Sequence, residues 1–241
     1  MIVLAGAAAL LGALVQSATG FGFALVLSPA LFAVLDPYEA ITTMLLLGPP
    51  LNALVLQDSA RGDVRLRMLV PVLVAALPGL ALGVLALELL SKPVLQVAVG
   101  AAVVAAAVWQ VHHRARRDGG RLGAFAAGLV SGALTTSISV SGPPIVLWLE
   151  ARGVTPGVFR ATLAASFLAL NVVGGAIVVA AGGIGAVRLD VVLPLLGLCV
   201  IGHFLGNRAH RRLAGPRFRL VALVLVACTG VASLVAGLTG L

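Results

Sequence analysis

Charge is scarce in this chain, and most of what there is has one sign. Only 10% of the 241 residues are charged, and 16 of the charges are Lys or Arg against 8 Asp or Glu. So little charge leaves no room for a soluble catalytic or nucleic-acid-binding domain, although the sequence pI of about 11.4 alone would suggest nucleic acid. The two cysteines, Cys199 and Cys228, stand alone inside apolar runs without metal-type spacing and read as small buried hydrophobes. No phosphate-binding glycine loop is present, so primary ATP-driven pumping is excluded. All eight acidic residues sit at or near the ends of apolar runs, so His203, deep in one run, is expected to have no carboxylate at its depth. The serines likewise have no evident base. With no acid–base or metal constellation, no enzyme, no catalytic residue, no metal site and no cofactor are expected. No charged segment precedes the first apolar run and no cleavage site follows it, so Ile2 onward reads as mature membrane segment rather than signal peptide.

What is present is hydrophobicity: 61% of residues are apolar. The apolar runs cover 2–35, 39–57, 66–88, 93–111, 122–149, 160–182, 189–207 and 217–238, the pattern of a polytopic helical membrane protein. The first run would be about 51 Å long as one helix, against a hydrocarbon core of about 30 Å. It is interrupted by Gln16-Ser17-Ala18-Thr19-Gly20-Phe21-Gly22, and the fifth run by Thr135 to Pro144, where Pro143 and Pro144 remove two backbone donors. Each long run therefore reads as a helix, a break and a second helix, with a re-entrant hairpin as one way to fold it.

Basic residues decide between a hairpin and a single crossing. If every run crosses once, the 16 Lys and Arg divide eight against eight. If the first and fifth runs return to their starting side, every basic residue except Lys92 and Arg188 falls on one side, fourteen against two, while Asp36 and Glu39 join that pair. The second arrangement inverts the two halves, puts both termini outside, and makes the linker 114–121 cytoplasmic.

The halves also match residue by residue. Gly62, Val64, Arg65, Leu66, Pro71, Gly79, Gly83 and Pro93 recur 123 positions later as Gly185, Val187, Arg188, Leu189, Pro194, Gly202, Gly206 and Pro216. Pro37, Thr43 and Asn52 recur 119 later as Pro156, Thr162 and Asn171. The expected architecture is all-α, with residues 1–113 as a first membrane repeat and 122–241 as a second, inverted one. Each repeat is a broken hairpin followed by three transmembrane helices. Inverted repeats with broken helices are a recurring plan of secondary transporters, whose substrate binds near the midplane where the halves meet.

The breaks suit an anion. The first N–H groups of a helix starting inside the membrane lack intrahelical partners, and the helix dipole adds partial positive charge. Two such ends, near Phe21 and Pro144, would point at one central site. Candidate substrate-binding residues are Gln16, Ser17, Thr19, Gly20, Phe21 and Gly22 at the first break, and Thr135, Thr136, Ser137, Ser139, Ser141 and Gly142 at the second. The paired amides Asn52 and Asn171 complete the set, as cavity lining or as hydrogen bonds between helices. Each hydroxyl has an equally simple alternative: bonding to a carbonyl of its own broken helix. No Lys or Arg is expected to be centrally placed. His203 is the candidate proton-coupling residue, with a neutral structural histidine as the alternative. The two GxxxG pairs, Gly79/Gly83 and Gly202/Gly206, read as packing surfaces.

Gly20-Phe21-Gly22-Phe23 with Ser28-Pro29, Gly128-Leu129-Val130-Ser131-Gly132 followed by Ser141-Gly142-Pro143-Pro144, and Arg160-Ala161-Thr162 with Ser166 together resemble the TauE/SafE family of sulfite and sulfonate exporters and related permeases. The resemblance covers nearly the whole chain. Where family members usually carry a more glycine-rich second break, this chain has Thr135 to Ser141. The resemblance implies transport, more often export than uptake, of small sulfur-containing anions, sulfonates or organic carboxylates. The expected location is the bacterial inner membrane. The expected partners are a small anionic substrate and the lipid bilayer, with a homodimer left open and no nucleic acid. An anion channel and an accessory membrane subunit remain the alternatives.

Overall fold

The computed structural model describes residues 2–59, 64–112, 120–213, 228 and 230–240. The described residues form helices joined by turns and short irregular links, with no strand among them. The helices are α1 (Ile2–Thr19), α2 (Phe23–Val34), α3 (Pro37–Asp58), α4 (Leu66–Leu89), α5 (Lys92–His112), α6 (Arg121–Ile138), α7 (Gly142–Ala151), α8 (Pro156–Ala180) and α9 (Leu189–Leu213), with a 3₁₀ turn at Gly183–Ala186. A last helix, α10, covers Gly230–Thr239. The linker expected at 114–121 lies outside the described residues except for its last two positions, and so does the first half of the run at 217–238.

Four helices among the described residues are long and apolar enough to cross a membrane: α3, α4, α8 and Leu189–Arg208 of α9. Val70, Val74, Leu77, Leu82 and Leu85 of α4, and Leu193, Ile201, Phe204 and Leu205 of α9, turn outward. Such rows would be a liability in water and belong against lipid. The two long apolar runs are each split, into α1 with α2 and α6 with α7. At 12 and 10 residues, α2 and α7 reach only about 18 and 15 Å, too short to span. Pro37 and Pro156, matched in the sequence, each occupy the first turn of a long helix, where a missing N–H costs nothing.

Glycine decides how the long helices meet. A Cβ at Gly79 or Gly83 of α4 would collide with the carbonyls of Leu129 or Ala133 on α6, and one at Gly202 or Gly206 of α9 with the carbonyls of Leu10 or Leu14 on α1. Gly128 and Gly132 of α6 return the contact, lying against the carbonyls of Val72 and Ala76. Backbone therefore touches backbone, which gives tight van der Waals contact where lipid supplies no hydrophobic drive. In both pairs the contacts advance along the two helices together, so α4 runs parallel to α6 and α1 parallel to α9. Pairing in α3 and α8 runs the other way, with Gly48 against Asn171 and Gly175 against Leu45. Apolar side chains of α2 and α3, among them Leu27, Leu31, Phe32, Ile41, Leu47 and Leu51, fill the centre.

Charged residues gather at the two ends of the bundle. At one end Lys92 lies 3.9 Å from Asp36, and Arg188 lies 3.3 Å from Glu39 and 2.8 Å from Asp190. The bonds to Asp190 and then Glu39 hold the Arg188 guanidinium even further toward its charged form than usual. These exposed pairs contribute at most about 1 kcal/mol each, so their value is as markers of which chain segments share an end. At the other end Arg65, Arg67 and Arg152 line one open cavity of about 690 Å³, and the Arg65 N–H donates to Thr162 Oγ1 at 3.3 Å.

The glycine contacts predict a sharp contrast within α9. Gly202→Val forces the α1 carbonyl aside and should destabilise the protein by about 1–3 kcal/mol, as overpacking does. Gly197→Ala, where a Cβ meets nothing within 4 Å, should leave the melting temperature in detergent unchanged.

Candidate functional site

At the first break α1 stops at Thr19, and Gly20 and Gly22 take φ of +93° and +116°, a region that disfavours residues with a Cβ. At Gly22 a Cβ would also stand 2.8 Å from Val15 Cγ1. Gln16, one turn before the break, secures it. Its Oε1 accepts the N–H of Phe23, the first residue of α2, at 3.3 Å, and its Nε2 donates to Asn52 Oδ1 at 2.7 Å. Asn52 Nδ2 in turn donates to Gly48 O at 2.8 Å. One amide thus caps a helix that starts inside the protein and ties it to α3.

The second break is built from the same positions with different residues. Ser139 takes φ of +57°, its N–H donates to Thr135 O and that of Val140 to Leu134 O, a left-handed helix ending that normally favours glycine. The last carbonyl of α6, on Ile138, accepts the hydroxyl of Ser28 from α2 at 2.7 Å. The Ser139 hydroxyl, only 6% of its residue exposed, has no partner. A strained serine with a buried, unsatisfied hydroxyl is costly twice over.

Both breaks wall a single small cavity. Its lining includes Gln16, Phe21, Gly22, Asn52, Ser139, Ser141, Gly142 and Asn171 of the sequence candidates, with Phe23, Met44 and Phe167. A volume of about 30 Å³ admits a water molecule but is tight for a tetra-atomic oxyanion. Ala24, the second residue of α2, also lines it, and the N–H groups of that first turn have no acceptor within the helix. Pro143 and Pro144 remove the corresponding donors of α7, so Ser141 and Gly142 are what its tip offers. A second hollow of about 200 Å³ behind Phe21 is lined by alanine, leucine, valine and proline and offers an anion no donor.

The remaining candidates point elsewhere. Thr19 donates to Val15 O and Phe21 O, Thr135 to Ser131 O and Ser137 to Ala133 O, so these three satisfy carbonyls of their own helices or break. Thr136 bonds across to Leu80 O at 2.7 Å, joining α6 to α4. Gly20 and Ser17 are absent from the cavity wall. Asn52 serves both readings left open for it, lining the cavity and linking helices.

Two sequence expectations are corrected. His203 does have a carboxylate at its depth: Asp58 Oδ2 lies 3.1 Å from its Nε2, and Ser17 Oγ lies 2.8 Å from its Nδ1. Asp58 closes the apolar run of α3 and looks like a span end in sequence, but α1, α3 and α9 converge there. Ser17 is fully buried, so no substrate reaches it and the trio is a hydrogen-bond relay rather than a nucleophile with its base. A cation is also held inside near the first break: the stem of Arg160 of α8 packs on Gly20, its Cγ 3.3 Å from the site of a Cβ there, and its guanidinium Nε and Nη2 are buried. The Gly20 position, open for lack of a side chain, was the one local signal of that approach.

An all-helical membrane protein whose short, broken helices meet at a buried polar cavity belongs to the transporter class. The chain belongs to the sulfite exporter TauE/SafE family, whose model matches residues 4–233, and the members of that family are membrane transporters of the sulfite-exporter type. No curated protein and no solved structure gives a match.

Gln16→Leu should destabilise the protein by about 1–3 kcal/mol, because it strips a donor from Asn52 and an acceptor from the Phe23 N–H and leaves both buried. Ser137→Ala, which removes only a bond within its own helix, should cost about 1 kcal/mol or less. Thermal unfolding of the two purified variants in one detergent checks the order.

Proposed function

We propose that this protein is a secondary transporter that exports sulfite and related small sulfur-containing or organic anions by alternating access to a site between the two breaks. The observation that carries this reading is the shared cavity, which takes an asparagine from each half, backbone from both broken helices and the unpartnered Ser139 hydroxyl. An anion accepting from Ser139, with Asn171 and the start of α2 beside it, would repay the cost of leaving the Ser139 hydroxyl unsatisfied. Because the cavity is too small for comfortable anion entry, binding requires the breaks to move apart, and closing them again is the step a carrier needs. The approaching Arg160 and the Arg65, Arg67 and Arg152 cavity draw anions toward one end.

The inverted duplication fits the same reading. Gly79 over Leu129 and Gly202 over Leu10 are equivalent contacts, and their parallel helix pairs begin at opposite charged ends. Segments that share an end follow the hairpin count: Lys92 and Arg188 meet Asp36 and Glu39, while Arg65 and Arg152 stand together at the other. The Arg-rich end is cytoplasmic in a bacterial inner membrane by this account.

In proteoliposomes the protein should exchange ³⁵S-sulfite above protein-free vesicles, and sulfonates or small carboxylates should compete. Ser139→Ala should fold as well as the parent and weaken sulfite affinity roughly 10- to 150-fold, the loss of about 1.5–3 kcal/mol for one hydrogen bond to a charged group. Exchange with unchanged affinity in that variant would move the anion away from the second break.

Cysteines at Tyr38 and Thr155, in a background lacking Cys199 and Cys228, should react with an impermeant thiol reagent from opposite faces of the membrane. A single crossing by each long run puts both on the same face, so labelling from one face would remove the inverted arrangement.

A further inference from the structure

The His203–Asp58 pair is set apart from the rest of the duplication. At the matching place in the other half, Ser17 corresponds to Thr136 and Asp58 to Ile177, both 119 residues on, while His203 corresponds to Leu80, 123 residues back. The contact itself is kept, since Thr136 bonds to the Leu80 carbonyl and Ile177 packs on the cluster that contains Leu80. Helix packing at this junction is therefore achieved without any titratable group. One half has nevertheless placed an imidazole, 2% exposed, between a hydroxyl and a carboxylate. An ionisable group at this depth is expensive, and the symmetric junction shows that structure does not demand it.

We propose that His203 and Asp58 together bind the proton that accompanies the transported anion, with Ser17 and Gln16 linking the proton site to the anion cavity. This rests on the transporter reading above. Without the added proton Nδ1–H donates to Ser17 Oγ and the Nε2 lone pair faces the Asp58 carboxylate; the added proton sits on Nε2 between ring and carboxylate, and the charge it brings to the ring strengthens the bond from Nδ1–H to Ser17. The bond that breaks is a hydronium O–H at the Asp58 side and the bond that forms is the imidazole Nε2–H, with water released. Asp58, with 27% of its side chain exposed, is the side of the relay open to the aqueous end. Ser17 and Gln16 are adjacent on the last turn of α1; one faces His203 and the other lines the anion cavity and caps α2. Proton binding thus acts on the same turn that holds the first break closed. The charged and titratable groups around His203 are Asp58 from α3 and Arg160 from α8, with Arg208 further along α9 and only the hydroxyl of Ser17 from α1. The added positive charge favours an anion nearby, and by linkage the anion favours the proton, so the two travel together.

The test uses the full-length protein in proteoliposomes with ³⁵S-sulfite, the membrane potential clamped to zero and protein-free vesicles subtracted. Bisulfite would itself carry a proton, so ³⁵S-methanesulfonate, which has no titratable proton near neutral pH, is run in parallel, and its ratio decides wherever the two anions differ. At equal pH, wild type, His203→Gln and Asp58→Asn should each exchange sulfite above protein-free vesicles, the variants more slowly by whatever the lost linkage costs. With a gradient of one pH unit, wild type should concentrate sulfite about tenfold toward the alkaline side, the ratio one coupled proton supports, while both variants should reach a ratio of about one. Wild type that exchanges sulfite without concentrating it, or a variant that concentrates it as wild type does, overturns the proposal. The wild-type measurement decides even if a variant fails to fold. Absence of any wild-type sulfite exchange is a different failure, because it overturns the transporter reading on which the proton site depends.

Discussion

Broken backbone inside a membrane is the constraint from which the rest of this structure follows. Every N–H and C=O left without a helical partner in hydrocarbon costs several kcal/mol, so a break survives only where protein supplies the missing bonds. Here the supply is specific: Gln16 caps α2, Ser28 takes the last carbonyl of α6, and left-handed residues at Gly20 and Ser139 let each chain turn back. The glycine contacts serve the same need, since helices in backbone contact hold the polar centre away from lipid. Once the breaks are secured, the Ser139 hydroxyl remains unsatisfied in the wall of the cavity between them, where the anion is proposed to bind.

The two halves share a scaffold and divide the chemistry. Equivalent positions make the same turn at Gly20 and Ser139, but glycine leaves room for Arg160, whereas serine adds a strained, unpartnered hydroxyl. Gln16 caps a helix and Thr135, its counterpart, only bonds within one. One junction is apolar around Leu80 and the other carries His203 and Asp58. Duplication explains the frame, and the departures from it concentrate on the residues proposed to meet an anion or a proton.

Much of the frame was legible in sequence because it depends on residues with few physical alternatives. Glycine and proline at the breaks, GxxxG pairs at helix contacts, and prolines opening α3 and α8 announce themselves by what they cannot do. The matched Asn52 and Asn171, which the repeat left open as cavity lining or as links between helices, both line one cavity. Hydroxyls were not legible, because a hydroxyl on a broken helix can face its own carbonyl or the cavity with equal ease; Thr135 and Ser137 bond their own helix, and Ser139 lines the cavity with its hydroxyl unpartnered. Nor was the Asp58 partner of His203 legible. The two are distant in sequence, on helices that meet only in three dimensions, and Asp58 ends an apolar run just as an interfacial carboxylate would.

The central claim is that the anion sits between the two breaks. Selenite, a heavier analogue of sulfite with the same charge and shape, can be located by its anomalous scattering in crystals of the protein. The account predicts a selenium peak in the cavity walled by both breaks, within hydrogen-bond reach of Ser139 and Asn171. A peak only among Arg65, Arg67 and Arg152, with none between the breaks, would contradict it.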